Sequence, residues 1–191
     1  MRCYLALLLD EETRSHIAEI QAGLARPGDG IRWVPAENLH LTLLFLGEQG
    51  QQALDDLGTL LCELPRREPL RLELGELGFF GSPRRPRVVQ MGLEGDVGPL
   101  QALVAELGRI AELAVGLAPE ERAYVPHITL GRFKRVQRGV TERLLGKLGQ
   151  GSLAKTRALP PLRSLWLMRS IFAAGGVRYE PVKEFPFASQ D

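Results

Sequence analysis

Residues 38–47 read NLHLTLLFLG, and residues 126–132 read PHITLGR. Each is an apolar, strand-like run interrupted by a histidine and a threonine two positions apart. Successive side chains on a strand point to opposite faces, so His40 and Thr42 share one face while Leu39, Leu41 and Leu43 share the other. The same parity sets His127 and Thr129 against Ile128 and Leu130. A buried strand has no need of an imidazole, and the chain contains only three histidines and six threonines. Two of the three histidines stand before x-Thr-Leu, which points to a duplicated site.

The duplication extends to the order of elements. His127 follows His40 by 87 positions, and the strand-like run at Arg87 follows that at Cys3 by 84. Strands are predicted near Cys3–Asp10, Leu39–Leu46 and Leu70–Leu74, with helices over Glu11–Leu24 and Gln51–Leu64. The order recurs with strands at Arg87–Leu93 and Tyr124–Phe133, and helices at Pro99–Leu113 and Val140–Leu148. Runs at Leu162–Ile171 and Val177–Phe187, joined by a turn at Gly175-Gly176, add one more strand. A repeat spanning the chain predicts an α+β, bilobal duplicated fold. Each lobe is an antiparallel sheet with helices packed outside, and the cleft between lobes holds the site. Residues 1–191 are read as one domain, its lobes falling near 1–80 and 86–191, with room for strands to be exchanged between them.

The totals exclude several classes. Apolar residues make up 45% and charged residues 25%, with 24 basic against 23 acidic side chains. That balance argues against a nucleic-acid coat or a membrane-surface protein, whose affinity would come from summed positive charge. The apolar run from Cys3 to Leu9 is too short for a membrane span and carries no leader pattern. A cytoplasmic protein is expected, monomeric and without an obligate protein partner. Cys3 and Cys62 lack CxxC spacing and read as buried free thiols.

Two imidazoles and two hydroxyls facing one cleft suit phosphoryl transfer. With a pKa near 6.5, histidine serves as neutral base or charged acid. One takes a proton from water as it attacks phosphorus, and the other protonates the leaving oxygen. The motifs are too alike to say which does which. Thr42 and Thr129 can donate hydrogen bonds to non-bridging oxygens and stabilise the developing charge. Neither motif has the HxxxH spacing or nearby carboxylates of a metal site, so no metal or cofactor enters this scheme. His16, alone in the first helix, reads as a surface or packing residue.

With both motifs placed, the chain resembles the two-histidine (2H) phosphoesterase superfamily. Its LigT-like branch contains bacterial and archaeal RNA 2',3'-cyclic phosphodiesterases, also described as 2'-5' RNA ligases. The likeness is carried by Arg32-Trp33-Val34-Pro35, the two motif strands, residues 78–88 and residues 167–179. It implies that His40 and His127 are the catalytic pair and that Thr42 and Thr129 hold the phosphate. It further implies opening of a 2',3'-cyclic phosphate at an RNA end with expulsion of the 3' oxygen, leaving a 2'-phosphate, and the reverse-type 2'-5' ligation. Partners would be RNA with such ends or small cyclic-phosphate nucleotides. The alternatives are a phosphodiesterase on another cyclic phosphate or 2'-5' linked oligonucleotide, and a non-catalytic RNA-end binder.

Further substrate contacts are expected from Arg132, Tyr124, Arg84 and Arg85. Parity sets Arg132 on the face of Ile128 and Leu130 unless Gly131 allows a bulge. Ser82–Arg87 reads as a Pro-interrupted loop between lobes, serving either RNA phosphates or only as a solvated linker. Lys134, Arg135 and Arg138 extend a second basic cluster. Tyr124, Phe45, Phe79, Phe80 and Trp33 are candidate base-stacking platforms, most of them expected in the core, and Phe45, which shares the parity of Leu41 and Leu43, is read as core.

Overall fold

The computed structural model describes residues 1–82, 85–135, 139–148, 157–173 and 176–187. In chain order the elements are β1 (Arg2–Leu8), α1 (Glu11–Leu24), β2 (Ile31–Trp33), a 3-10 turn (Ala36–Asn38), β3 (His40–Glu48), α2 (Gln51–Cys62) and β4 (Leu72–Ser82). Then come β5 (Arg85–Gly95), α3 (Val97–Val115), β6 (His127–Phe133), α4 (Val140–Leu148), β7 (Arg157–Ala158), β8 (Ser164–Ala173) and β9 (Gly176–Pro186). The nine strands form one sheet in the order β7-β4-β5-β6-β3-β1-β8-β9, with β2 also paired to β6. Every ladder is antiparallel.

The helices begin and end where local chemistry dictates. Asp10 caps α1 by accepting the Thr13 amide at 3.1 Å, and Glu11 and Glu12 place negative charge in the first turn. Gly116 closes α3 in the left-handed conformation, at φ 64°. Helix stripes such as Ile17 and Leu24, Leu57 and Leu61, and Leu103 and Leu107 join Leu5, Leu7, Leu41, Leu43, Ile128 and Leu130 in one buried core. Each leucine so buried contributes roughly 1.5–3 kcal/mol. The helices therefore back one face of the sheet and leave the alternate strand residues on the other.

Several expectations change in detail. β4 runs on through Gly78-Phe79-Phe80, and Arg85 to Arg87 belong to β5. The expected interlobe loop is instead a hairpin, with Phe80 opposite Val88 and Ser82 opposite Arg85. Pro83 and Arg84 lie outside the described residues, as do Arg138 and Gly175. Tyr124 precedes its strand rather than starting it. β2 and β7 are too short to leave a periodic signal. Cys3 is buried but Cys62 is exposed, because the buried stripe of α2 ends at Leu61 and the next residue turns about 100° away. Sequence halves and sheet halves also differ. β4 pairs with β5, and β8 with β1, so one side of the sheet (β7-β4-β5-β6) comes from the middle of the chain and the other (β3-β1-β8-β9) from its two ends.

Gly131 is fixed by space. A Cβ there would lie 2.8 Å from Ile31 Cγ2 and 3.2 Å from the Trp33 ring. Gly131→Ala is expected to cost about 1–3 kcal/mol. Gly108→Ala in α3, where a Cβ meets nothing within 4 Å, is expected to gain roughly 0.5–1 kcal/mol. Urea unfolding of the two variants checks this, and equal midpoints would reject the packing account.

Candidate active site

β3 and β6 meet through one ladder pair, Leu41 opposite Ile128, both fully buried. One step to either side sets His40 across from Thr129 and Thr42 across from His127, all four on the face away from the helices. Directly opposed Cβ atoms lie on the order of 5 Å apart. The four motif residues thus form one two-by-two cluster at the middle of the sheet.

Both imidazoles are oriented by main-chain carbonyls. His40 Nδ1 lies 2.7 Å from Asn38 O, and His127 Nδ1 lies 2.8 Å from Val125 O. A carbonyl only accepts, so each Nδ1 carries hydrogen and each neutral ring keeps its lone pair on Nε2. Thr42 Oγ1 lies 2.9 Å from His40 Nε2 and can donate to it. The walls are aromatic. Tyr4 and Tyr179 flank His40 at centroid distances of 5.0 and 5.1 Å, and Phe80 meets His127 edge-on at 4.6 Å.

These surroundings favour neutral rings. Burial holds His40 below its usual pKa against the opposing pull of the Asn38 carbonyl, and the charge of Arg132 and neighbouring His127 adds to the lowering. His127 is lowered in the same way by burial and by Arg132, with the Val125 carbonyl opposing.

A β-bulge brings Arg132 to this face. Thr129 faces Gln90 on β5 and Gly131 faces Val89, so Leu130 has no partner there and the alternation slips by one. Arg132, opposite Val88, then shares the face of His127 and Thr129. The Leu130 carbonyl accepts from the Val34 amide at 2.8 Å and from Gln21 Nε2 at 2.8 Å. Gln21, buried in α1, also donates to Val34 O at 2.9 Å. An interior amide with two carbonyl partners thus pins the bulge.

β3 repeats the device. Thr42 faces Ala6 and Leu44 faces Leu5, leaving Leu43 as the extra residue. Phe45 therefore lies on the histidine face, opposite Tyr4, and is 63% exposed. The core reading of Phe45 fails because strict alternation does not survive the bulge.

The other candidates separate. Tyr124 sends its hydroxyl to Thr42 O at 2.9 Å, which ties the approach to β6 onto β3. Burial pushes this phenol well above its usual pKa. Arg85 is exposed near the hairpin tip, where Ser82 Oγ accepts its amide at 3.1 Å. Trp33 and Phe79 pack against the helix-side core instead of standing on the histidine face. Sequence reasoning missed Tyr4, Gln21, Gln90 and Tyr179, whose roles depend on cross-strand neighbours. Gln90 faces Thr129 and lies over Gly78, where a Cβ would come within 2.7 Å of Nε2. Among the described residues, no three His, Cys, Asp or Glu side chains converge so as to hold a metal ion.

A family model described as LigT like Phosphoesterase matches residues 7–90. The RNA 2',3'-cyclic phosphodiesterase of Aeropyrum pernix is 32% identical over 174 residues, covering 91% of this chain and 96% of the relative. That of Methanothermobacter thermautotrophicus is 31% identical, covering 97% and 98%. Escherichia coli LigT complexed with 3'-AMP superposes with a TM-score of 0.77 at 27% identity, covering 97% of each chain. The chain belongs to the LigT-like phosphoesterase family. No helix among the described residues is long and apolar enough to cross a membrane.

The lowered histidines carry a linkage consequence. Below the usual value of 6.5 the unfolded chain takes up protons before the folded one. Stability is therefore full above that pH and falls as pH drops toward the folded-state pKa values. A His40→Gln, His127→Gln double variant is expected to lose less stability than the parent between about pH 7 and pH 5. Urea midpoints measured across that range would show parallel losses if the lowering were absent.

Proposed function

We propose that the chain is a metal-independent RNA 2',3'-cyclic phosphodiesterase, in which His40 and His127 are the proton-transfer pair. The observation that carries this reading is the symmetric placement of two Nδ1-anchored imidazoles, each beside a threonine of the opposite strand. One neutral Nε2 removes a proton from water as its oxygen bonds to phosphorus. The bond from phosphorus to O3' breaks, and the other imidazolium delivers its Nε2 proton to O3', leaving a 2'-phosphate. Thr42 and Thr129 donate to the non-bridging oxygens, and Arg132 stabilises the growing negative charge. A ribose 5'-hydroxyl in place of water turns the same proton transfers into 2'-5' ligation.

The curated relatives above carry this activity in their names. The exposed ring of Phe45 offers the terminal base a stacking surface beside His40. The duplicated-domain reading extends here too. The bulges at Leu43 and Leu130, and with them Phe45 and Arg132, repeat the 87-residue offset of the motifs, which supports one domain of two related lobes. Two free cysteines suit a cytoplasmic protein.

His40→Ala and His127→Ala are each expected to lower kcat by about 10²–10⁴-fold on a nucleoside 2',3'-cyclic phosphate assayed in EDTA. Undiminished turnover by either variant removes that residue from the mechanism, and activity lost only on chelation removes the metal-free scheme. One histidine must be neutral and the other charged while burial lowers both. The kcat/KM profile is therefore expected to be a bell centred below the usual histidine value of 6.5. An optimum well above neutrality would contradict the pair.

A further inference from the structure

The cleft face continues beyond Phe45 along β1 and β8. Tyr4 faces Phe45 on one side and Met168 on the other, so Met168 shares their face. Ser170 and Phe172 follow on that face at the period of two. Phe172 is 65% exposed, and its ring lies beneath the guanidinium of Arg2, 5.6 Å from carbon to centroid. Glu48 stands opposite Arg2 in register, yet Arg2 makes no ion pair within 4 Å among the described residues.

Phe45 and Phe172 are the large aromatics left mostly exposed among the described residues, and both lie at the same end of the same face. The other end presents Arg132 and the Arg85 hairpin tip instead. Flat apolar rings with a stacked guanidinium match unpaired bases, whose π-faces are read without regard to sequence. Two strand spacings and four residues of rise put Phe172 about 16 Å from Phe45. That is roughly the reach of two to three nucleotides in an extended strand.

We propose that Phe172 and Arg2 form a second base-stacking platform, for a nucleotide two to three positions on the 5' side of the cyclic end. The substrate class is then a single-stranded oligoribonucleotide terminus in preference to a free cyclic nucleotide. This rests on the reading that the cleft acts on RNA 2',3'-cyclic ends. The face is continuous with that cleft, which favours the body of the same strand over a protein segment as its occupant.

The test compares the parent, Phe172→Ala and Arg2→Gln on a nucleoside 2',3'-cyclic phosphate and on a hexaribonucleotide with the same cyclic end. Both variants should stay within about twofold of the parent on the nucleoside and lose on the order of tenfold in kcat/KM on the hexamer. Abasic sites at the second and third upstream positions should shrink that loss. Unchanged hexamer turnover, or equal losses on both substrates, overturns the platform. If the parent turns over neither substrate, the reading of the cleft fails instead. Fluorescence anisotropy with a labelled single-stranded hexamer then decides the platform alone. Tenfold weaker binding by Phe172→Ala supports it, and equal binding overturns it.

Discussion

The site depends on how little β3 and β6 pair. Their ladder holds Leu41 opposite Ile128 and no other pair, and further along β6 the same edge passes to β2, from Gly131 to Phe133. Both residues of that pair are sealed in the core, so the junction is anchored from behind by burial, not by a long row of hydrogen bonds. A full ladder would have made a closed, flat sheet centre. A single pair fixes the four polar side chains against each other on the face away from the helices.

The two bulges turn this arrangement from symmetric to polar. Each moves the residue five places after its histidine onto the histidine face, but that residue is Phe45 on one strand and Arg132 on the other. One backbone device thus yields an apolar end and a cationic end. A nucleotide has the same division, a flat base and an anionic phosphate. Gln21 stabilises only the β6 bulge, with its amide hydrogens shared between Val34 and Leu130 carbonyls.

Parity made the central cluster legible before any coordinates. His40, Thr42, His127 and Thr129 follow from a period of two, and their offset marks the repeat. The same rule misplaced Phe45 and left Arg132 open, because a bulge adds one residue without a compositional mark other than Gly131. Cross-strand neighbours were also beyond reach. Nothing local in Tyr4 or Tyr179 says that both rings will flank His40, since their strands are far apart in the chain. An antiparallel sheet backed by helices was readable for the reason the motifs were, but its forming one sheet through the pairing of β4 with β5 and of β8 with β1 was not. Pairings between distant segments leave no periodic trace.

The distribution of strands sets an order on biosynthesis. His40 and Thr42 are translated early, yet β1 keeps an unpaired edge until residues 164–173 are made, and Tyr179 follows later still. A nascent chain that already contains both histidines still lacks one aromatic wall of the first. The surroundings of His40 can be finished only once β9 has left the ribosome, so a truncated product with every motif intact would still be unfinished.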